Sequence, residues 1–194
     1  MSSLIWHVTM SLDGFIAGPD DSMDWMLADW SGGERARDVE VERSVLADRV
    51  LQGAGAILGG RRWYDVAVRD FDGYDGIYGG RWGGPVFVLS HRPPDPDHHP
   101  AIEFLSGDVA DAVGTATTAA EGGDVVVFGA SLARQCLRAG MLDEIAVHLA
   151  PVLLGAGVRL VEGQSLEAPV RLERTYIASS GQLTDVAFAV RNGA

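Results

Sequence analysis

Three short stretches of this sequence share one design, a hydrophobic run that ends in small residues or arginine. They are Gly59-Gly60-Arg61-Arg62, Ser90-His91-Arg92 and Phe128-Gly129-Ala130-Ser131. Small residues let the backbone approach a ligand, and the first amides of a helix starting there lack intrahelical partners, which suits an anion. Arginine adds a planar charged fork that matches phosphate. A second group of interest is carboxylic: Asp13 after the first hydrophobic run, and Asp24 and Asp29 in an acidic stretch that also holds Trp25 and Trp30. An acid beside a bound substrate can supply a proton, and tryptophan can wall a flat heterocycle. Each also has a plainer role: Asp13-Gly14 as a turn, Asp24 and Asp29 as caps or solvated charge, Trp25 as core.

Gly129-Ala130-Ser131-Leu132-Ala133 also approximates the Gly-X-Ser-X-Gly elbow of a serine hydrolase, with His148 downstream. The last glycine is absent, and His148 lies inside an apolar run, where a buried, hydrogen-bonded histidine is the common case. His98-His99 has no evident third ligand, so no metal is expected. The single cysteine, Cys136, excludes an internal disulfide and a cysteine-cluster metal site, and is expected as a buried, inert thiol.

The elements that must position these residues follow from hydrophobic pattern. Strands are expected at 4–10, 54–60, 85–90, 102–105 and 125–128, a long one with a Pro-marked bend at 143–154, and two more at 170–178 and 183–191. Amphipathic helices are expected over 34–52, from Arg61 over a short span, over 109–120, and after Ser131 to Ala139. Residues 11–20 and 69–84 read as loops, the second an irregular surface segment rich in Gly, Asp and aromatics. Strand–helix alternation over two thirds of the chain, closed by antiparallel strands, predicts an α/β fold with a mixed sheet. If the strands before the three junctions are parallel neighbours, all three turns fall on one sheet edge. A long ligand with phosphates at several points, such as the dinucleotide NADPH, would fit that edge.

The chain has 194 residues, of which 47% are hydrophobic and 22% charged, and a single domain over 1–194 is expected. Its net charge of −12, with 15 cations against 27 carboxylates, speaks against nucleic-acid binding. All of those cations are arginines. No apolar run is long enough to span a membrane, and the first residues carry no secretory pattern, so a cytoplasmic location without membrane partners is expected.

Thr9-Met10-Ser11-Leu12-Asp13-Gly14-Phe15-Ile16-Ala17, Leu58-Gly59-Gly60-Arg61-Arg62, Val88-Leu89-Ser90-His91-Arg92, Phe128-Gly129-Ala130-Ser131 and Gly140-Met141-Leu142-Asp143-Glu144 occur in the order seen in the dihydrofolate reductase superfamily. The chain resembles that superfamily from about Leu4 to Arg191. It is most similar to the branch of the reductase domain of the bifunctional riboflavin-biosynthesis protein (RibD C-terminal-like). The resemblance implies a mixed, mostly parallel twisted sheet with flanking helices and an antiparallel C-terminal strand pair. It also implies an NADPH-dependent reductase acting on a small heterocycle, and commonly a homodimer. By matching motifs, Gly60, Arg61, Arg62 and Trp63 stand where the family meets the cofactor phosphates, with Arg62 the expected partner of the 2′-phosphate. Ser90, His91 and Arg92 match the turn near that phosphate. Phe128, Gly129, Ala130, Ser131 and Leu132 match the turn under the pyrophosphate and nicotinamide, and Thr9, Ile16 and Ala17 flank the nicotinamide. Asp13 and Asp29 are the candidate acids, and Asp24 and Trp25 the candidate substrate contacts. Phe128-Gly129 replaces the usual glycine pair, and Trp63 the usual threonine. A non-catalytic protein that keeps the fold and binds a nucleotide or a partner is the alternative.

Overall fold

The computed structural model describes residues 2–26, 44–93, 96–162, 166 and 168–191. In chain order these form β1 (Leu4–Ser11), β2 (Phe15–Ala17), α1 (Val45–Gly53), β3 (Ala54–Gly60), α2 (Arg61–Asp70), β4 (Val86–Leu89), β5 (Ile102–Leu105), α3 (Val109–Ala119), β6 (Asp124–Phe128), α4 (Ala130–Arg138), β7 (Glu144–Ala150), β8 (Val158–Arg159), β9 (Arg171–Ser180) and β10 (Leu183–Arg191). Eight strands make one sheet in the order β5-β4-β3-β6-β1-β7-β10-β9. The first six of that order are mutually parallel, and β10 and β9 close the sheet in antiparallel fashion. The expected mixed, mostly parallel sheet with an antiparallel C-terminal pair is therefore present.

The parallel strands read as continuous apolar runs because both of their faces are covered. Leu4 and Trp6 of β1, Leu58 of β3, and Val125 and Val127 of β6 join residues of α3 and α4 in one core. Alternate residues Ile5, Ile57 and Val126 enter a second core, with Leu46 and Val50 of α1 and Tyr64 of α2. Period-two alternation assigns each side chain to one face, so the register fixes which residues can meet.

Four expectations need correction. Residues 15–17, read as loop, form a small antiparallel ribbon with β8. Two strands of 3 and 2 residues are too short to leave a pattern in the sequence. α2 extends to Asp70 although only Tyr64 and Ala67 of it are buried, so it lacks the apolar stripe that marks a longer helix. β7 stops at Ala150, because Pro151 has no N–H for the ladder, and Val152 N turns back to Ala150 O at 2.8 Å. Residues 69–84 are irregular as expected, yet Ile77, Tyr78 and Trp82 are buried in the second core. Of the helix expected over 34–52, residues before 44 lie outside those described, and the remainder is α1.

Candidate functional site

β4, β3 and β6 are parallel neighbours, so the three junctions do fall on one sheet edge. What distinguishes two of them is how the helices begin. α1 starts on Ser44, whose hydroxyl accepts the Ala47 N–H at 2.9 Å, and α3 on Asp108, which accepts from Asp111 N at 2.9 Å. α2 and α4 start on Gly60 and Gly129, with no side-chain cap. Their first amides are left for another acceptor, and the helix dipole favours an anionic one. The two bare starts adjoin: a Cβ on Gly60 would lie 3.6 Å from Leu132 Cβ, and one on Gly129 would lie 3.8 Å from Gly60 N. Gly129 has φ +92°, a conformation that L side chains rarely adopt. Ser131 is exposed at the start of α4, while Ala130 and Leu132 are buried beneath it.

The arginines divide into two groups. Arg61 Nε donates to Asp65 Oδ1 at 2.7 Å, and Arg92 Nη2 to Asp65 Oδ2 at 2.6 Å, so one carboxylate gathers two guanidinium groups. Burial alone would push the Asp65 carboxyl up, but the two arginines outweigh it and hold it below the ordinary range. Ser90 adjoins this group, its hydroxyl accepting the Arg92 N–H at 3.0 Å. His91 is exposed next to it. Arg62 turns elsewhere, pairing with Asp21. It is thus not gathered with Arg61 and Arg92. Trp63 lies flat over the end of β3: a Cβ on Gly59 would meet its Cε3 at 2.2 Å. Its ring stacks on Phe128 at 5.1 Å and 11° on the α1/α2 face, and its Cβ would lie 3.2 Å from a Cβ on Gly129, where α4 starts.

Asp13 accepts the Ser11 hydroxyl at 2.7 Å, Leu154 N at 3.1 Å and Gly155 N at 2.7 Å, and so clips the 151–155 segment to the end of β1. The Ser11 bond above all lowers its carboxyl, desolvation opposes it, and the Gly155 and Leu154 amides add to the lowering, which brings it to about 2. A group held that far into the ionised range and fully engaged as an acceptor is a structural clip rather than a proton donor at neutral pH. Asp24 is exposed and accepts from Ser22 Oγ at 3.2 Å. Trp25 is half-buried in the adjoining turn. Asp29 and Trp30 lie outside the described residues. Ile16 of β2 packs against the α3/α4 core, and Ala17 next to it is buried.

Thr9 stands in register with His148 on the α1/α2 face. His148 has both ring nitrogens engaged, by His7 Nε2 at 2.7 Å and Asp185 Oδ1 at 2.6 Å. Ser131 begins a helix on the opposite face, so the two do not meet and the serine-hydrolase arrangement is absent among the described residues. Tyr78, His7 and Asp185 continue this buried polar line, which no motif announces. Its only sequence signal is a histidine at an inward position of each of two apolar strands. Cys136 is fully buried, and burial pushes its thiol up to about 11, as expected of an inert cysteine. No group of three or more metal-ligating side chains is present among the described residues, and no described helix is long and apolar enough to cross a membrane.

Strand order, the antiparallel closing pair and ligand-ready turns on one sheet edge define an α/β protein of the dihydrofolate reductase-like fold. The chain belongs to the RibD C-terminal domain family, whose model matches residues 2–184. Among solved structures, a candidate riboflavin biosynthesis protein from Shewanella sp. PV-4 matches with TM-score 0.77 at 20% identity, covering 99% of this chain and 100% of that one. Acinetobacter baumannii RibD matches with TM-score 0.64 at 17% identity over 98% of this chain, which spans 58% of that protein. The Thermotoga maritima diaminohydroxyphosphoribosylaminopyrimidine deaminase/5-amino-6-(5-phosphoribosylamino)uracil reductase matches with TM-score 0.59 at 14% identity, over 98% of this chain and 57% of that one. No curated protein matches the sequence.

Proposed function

We propose that this chain is an NADPH-dependent reductase of a small heterocycle, a ribosylaminopyrimidine being the substrate class that family membership favours. One observation carries the proposal: the uncapped starts of α2 and α4 adjoin at Gly60, Gly129 and Leu132, with Arg61, Arg92 and Ser90 gathered on the same edge. The amides of Ala130, Ser131 and Leu132 would hold a pyrophosphate, and Arg61, Arg92 and Ser90 a 2′-phosphate, in exchange for Asp65. Ile16 and Ala17 would flank the nicotinamide, which supplies a hydride when bound. The ring face of the Trp63–Phe128 stack and the β1 residue Thr9 would border the substrate. We further propose that residues 1–194 act as one domain, in the cytoplasm and as a homodimer. The edge strand β9 has Leu172 and Ile177 exposed, and a second copy would cover them.

Titration with NADPH and NADH, followed by quenching of tryptophan fluorescence, tests the cofactor. Micromolar NADPH binding with NADH at least tenfold weaker is the expected result. Absence of NADPH binding at high micromolar concentration would sink the proposal. Nucleotide binding without turnover is the second function worth testing, because Trp63 and Phe128 stack on each other where the family pattern has smaller residues. NADPH binding with no oxidation on adding 5-amino-6-(5-phosphoribosylamino)uracil would favour it.

A further inference from the structure

A line of polar side chains crosses the α1/α2 face and has no part in the phosphate site. The Tyr78 hydroxyl lies 2.7 Å from His7 Nδ1, His7 Nε2 lies 2.7 Å from His148 Nε2, and His148 Nδ1 lies 2.6 Å from Asp185 Oδ1. Ser180 Oγ donates to the other Asp185 oxygen at 2.6 Å, and the Ser44 hydroxyl adds a further bond. Tyr78 is 9% exposed, His7 5%, His148 1% and Asp185 0%, so water does not mediate between them. A network this deeply buried is costly unless every member is satisfied.

Counting hydrogens leaves two arrangements. Burial would push the Asp185 carboxyl up, but the bonds from His148 and Ser180 outweigh it and keep Asp185 ionised, so His148 Nδ1 carries a hydrogen. Burial, then the neighbouring His148 and Arg49, hold His7 well below the ordinary histidine range, so it is neutral and has one ring hydrogen. In the first arrangement Tyr78 donates to His7 Nδ1, His7 Nε2–H donates to His148 Nε2, and His148 Nδ1–H donates to Asp185. In the second, His148 carries hydrogens on both nitrogens, His7 holds its hydrogen on Nδ1 and donates it to the Tyr78 oxygen, and the Tyr78 hydroxyl is released to point elsewhere. The second contains one proton more. Both satisfy every contact in the line.

The line also ends in a telling place. Trp6 pairs with Val127, so His7 stands level with Phe128, and the Tyr78 ring centre lies 6.0 Å from that of Phe128. Tyr78 therefore sits at the β1/β6 seam, one residue from the Gly129 turn. We propose that Tyr78, His7, His148 and Asp185 form a one-proton store, charged and discharged through the Tyr78 hydroxyl, and that Tyr78 is the catalytic acid of the reduction. This rests on the reductase function proposed above. Hydride from a reduced nicotinamide forms the new bond at the carbon of a C=N or C=O group, and the electron pair of the broken π bond takes the Tyr78 hydroxyl hydrogen. Tyr78 oxygen recovers a hydrogen from His7 Nδ1, and His7 Nε2 takes one from His148 Nε2. The imidazolium of His148 becomes imidazole beside the Asp185 carboxylate. After product leaves, one proton from water runs the same path in reverse. His7, His148 and Asp185 are positioning residues, since they act through Tyr78. The other charges near the line are Arg49, tied to Glu144, and Arg81, tied to Asp48.

Nitrogen-15 NMR of the histidine rings in the intact, ligand-free chain tests the store without any substrate. Across a pH titration, uptake of one proton by the line must coincide with a switch of neutral His7 from the Nε2–H to the Nδ1–H tautomer. His7 keeping one tautomer throughout, or charging independently, would overturn the store. Turnover of NADPH with 5-amino-6-(5-phosphoribosylamino)uracil tests the catalytic part. Tyr78→Phe should slow it about a hundredfold with NADPH affinity unchanged. In mixed light and heavy water the wild-type rate should curve with deuterium fraction, as when several hydrogens move together, and Asp185→Asn should make it linear. Wild-type rates and curvature in both variants would remove Tyr78 from the chemistry. A wild-type chain that binds NADPH but leaves this substrate untouched would count against the reductase function alone, and the NMR result would still decide the store.

Discussion

The four described α-helices begin in two different ways. α1 and α3 satisfy their own first amides through Ser44 and Asp108, whereas α2 and α4 begin on Gly60 and Gly129 and leave theirs open. A side-chain cap stabilises a helix by about 1 kcal/mol over an alanine start but by only a few tenths over a glycine start, so α2 and α4 keep open first amides at small cost. The two bare starts are also the two that touch, at the junction of neighbouring strands β3 and β6. Capping thus separates two helices whose first amides are satisfied by a side chain from two whose first amides are not.

The largest break in that contrast is expected at Gly129. Gly129→Ala forces an L residue to φ +92° with its Cβ 3.2 Å from Trp63 Cβ. Strain of that kind costs about 1 to 3 kcal/mol, readable as a lower urea midpoint, and NADPH binding should fall below detection. Next in size is Arg92→Ala, which removes a charged phosphate partner. NADPH affinity should drop roughly tenfold to a hundredfold with NADH affinity unchanged, whereas Arg62→Ala should leave the ratio alone, because Arg62 pairs with Asp21. Titration calorimetry of both cofactors on both variants separates these outcomes. A capped helix is the control: Asp108→Ala should cost about 1 kcal/mol of stability and leave NADPH affinity at its wild-type value. The smallest effect belongs to Asp13→Asn. Asp13 is lowered from 3.8 to about 2, so its stabilisation is present above the ordinary carboxylate value and is lost as pH falls through 2. The variant should melt slightly below wild type at pH 7, and the two melting temperatures should converge towards pH 2.

Much of this was legible in the sequence because the edge that gathers the three junctions is built locally. A strand that ends in Gly-Arg or Gly-Ala-Ser declares both its own buried run and the helix after it, and parallel strands that hand over to helices must present their turns together. Which arginine goes where was not legible. Arg61 and Arg62 are adjacent in sequence, yet one full helical step of direction sends the first to Asp65 and the second to Asp21. The Asp13-Gly14 turn was legible, but not the hold of Asp13 on Leu154 and Gly155, which are far away in the chain. The Tyr78–His7–His148–Asp185 line was hidden for the same reason. It needs the registers of β1 with β7 and of β7 with β10, and a buried turn in a segment whose composition reads as surface.

The most direct measurement of the central claim is a crystal structure of the chain with NADPH. The pyrophosphate oxygens should accept the N–H groups of Ala130 to Leu132 and the 2′-phosphate should lie between Arg61 and Arg92, with Asp65 no longer bridging them. Phosphates bound at the capped starts of α1 or α3, or an Asp65 bridge unchanged in a cofactor-bound crystal, would contradict it.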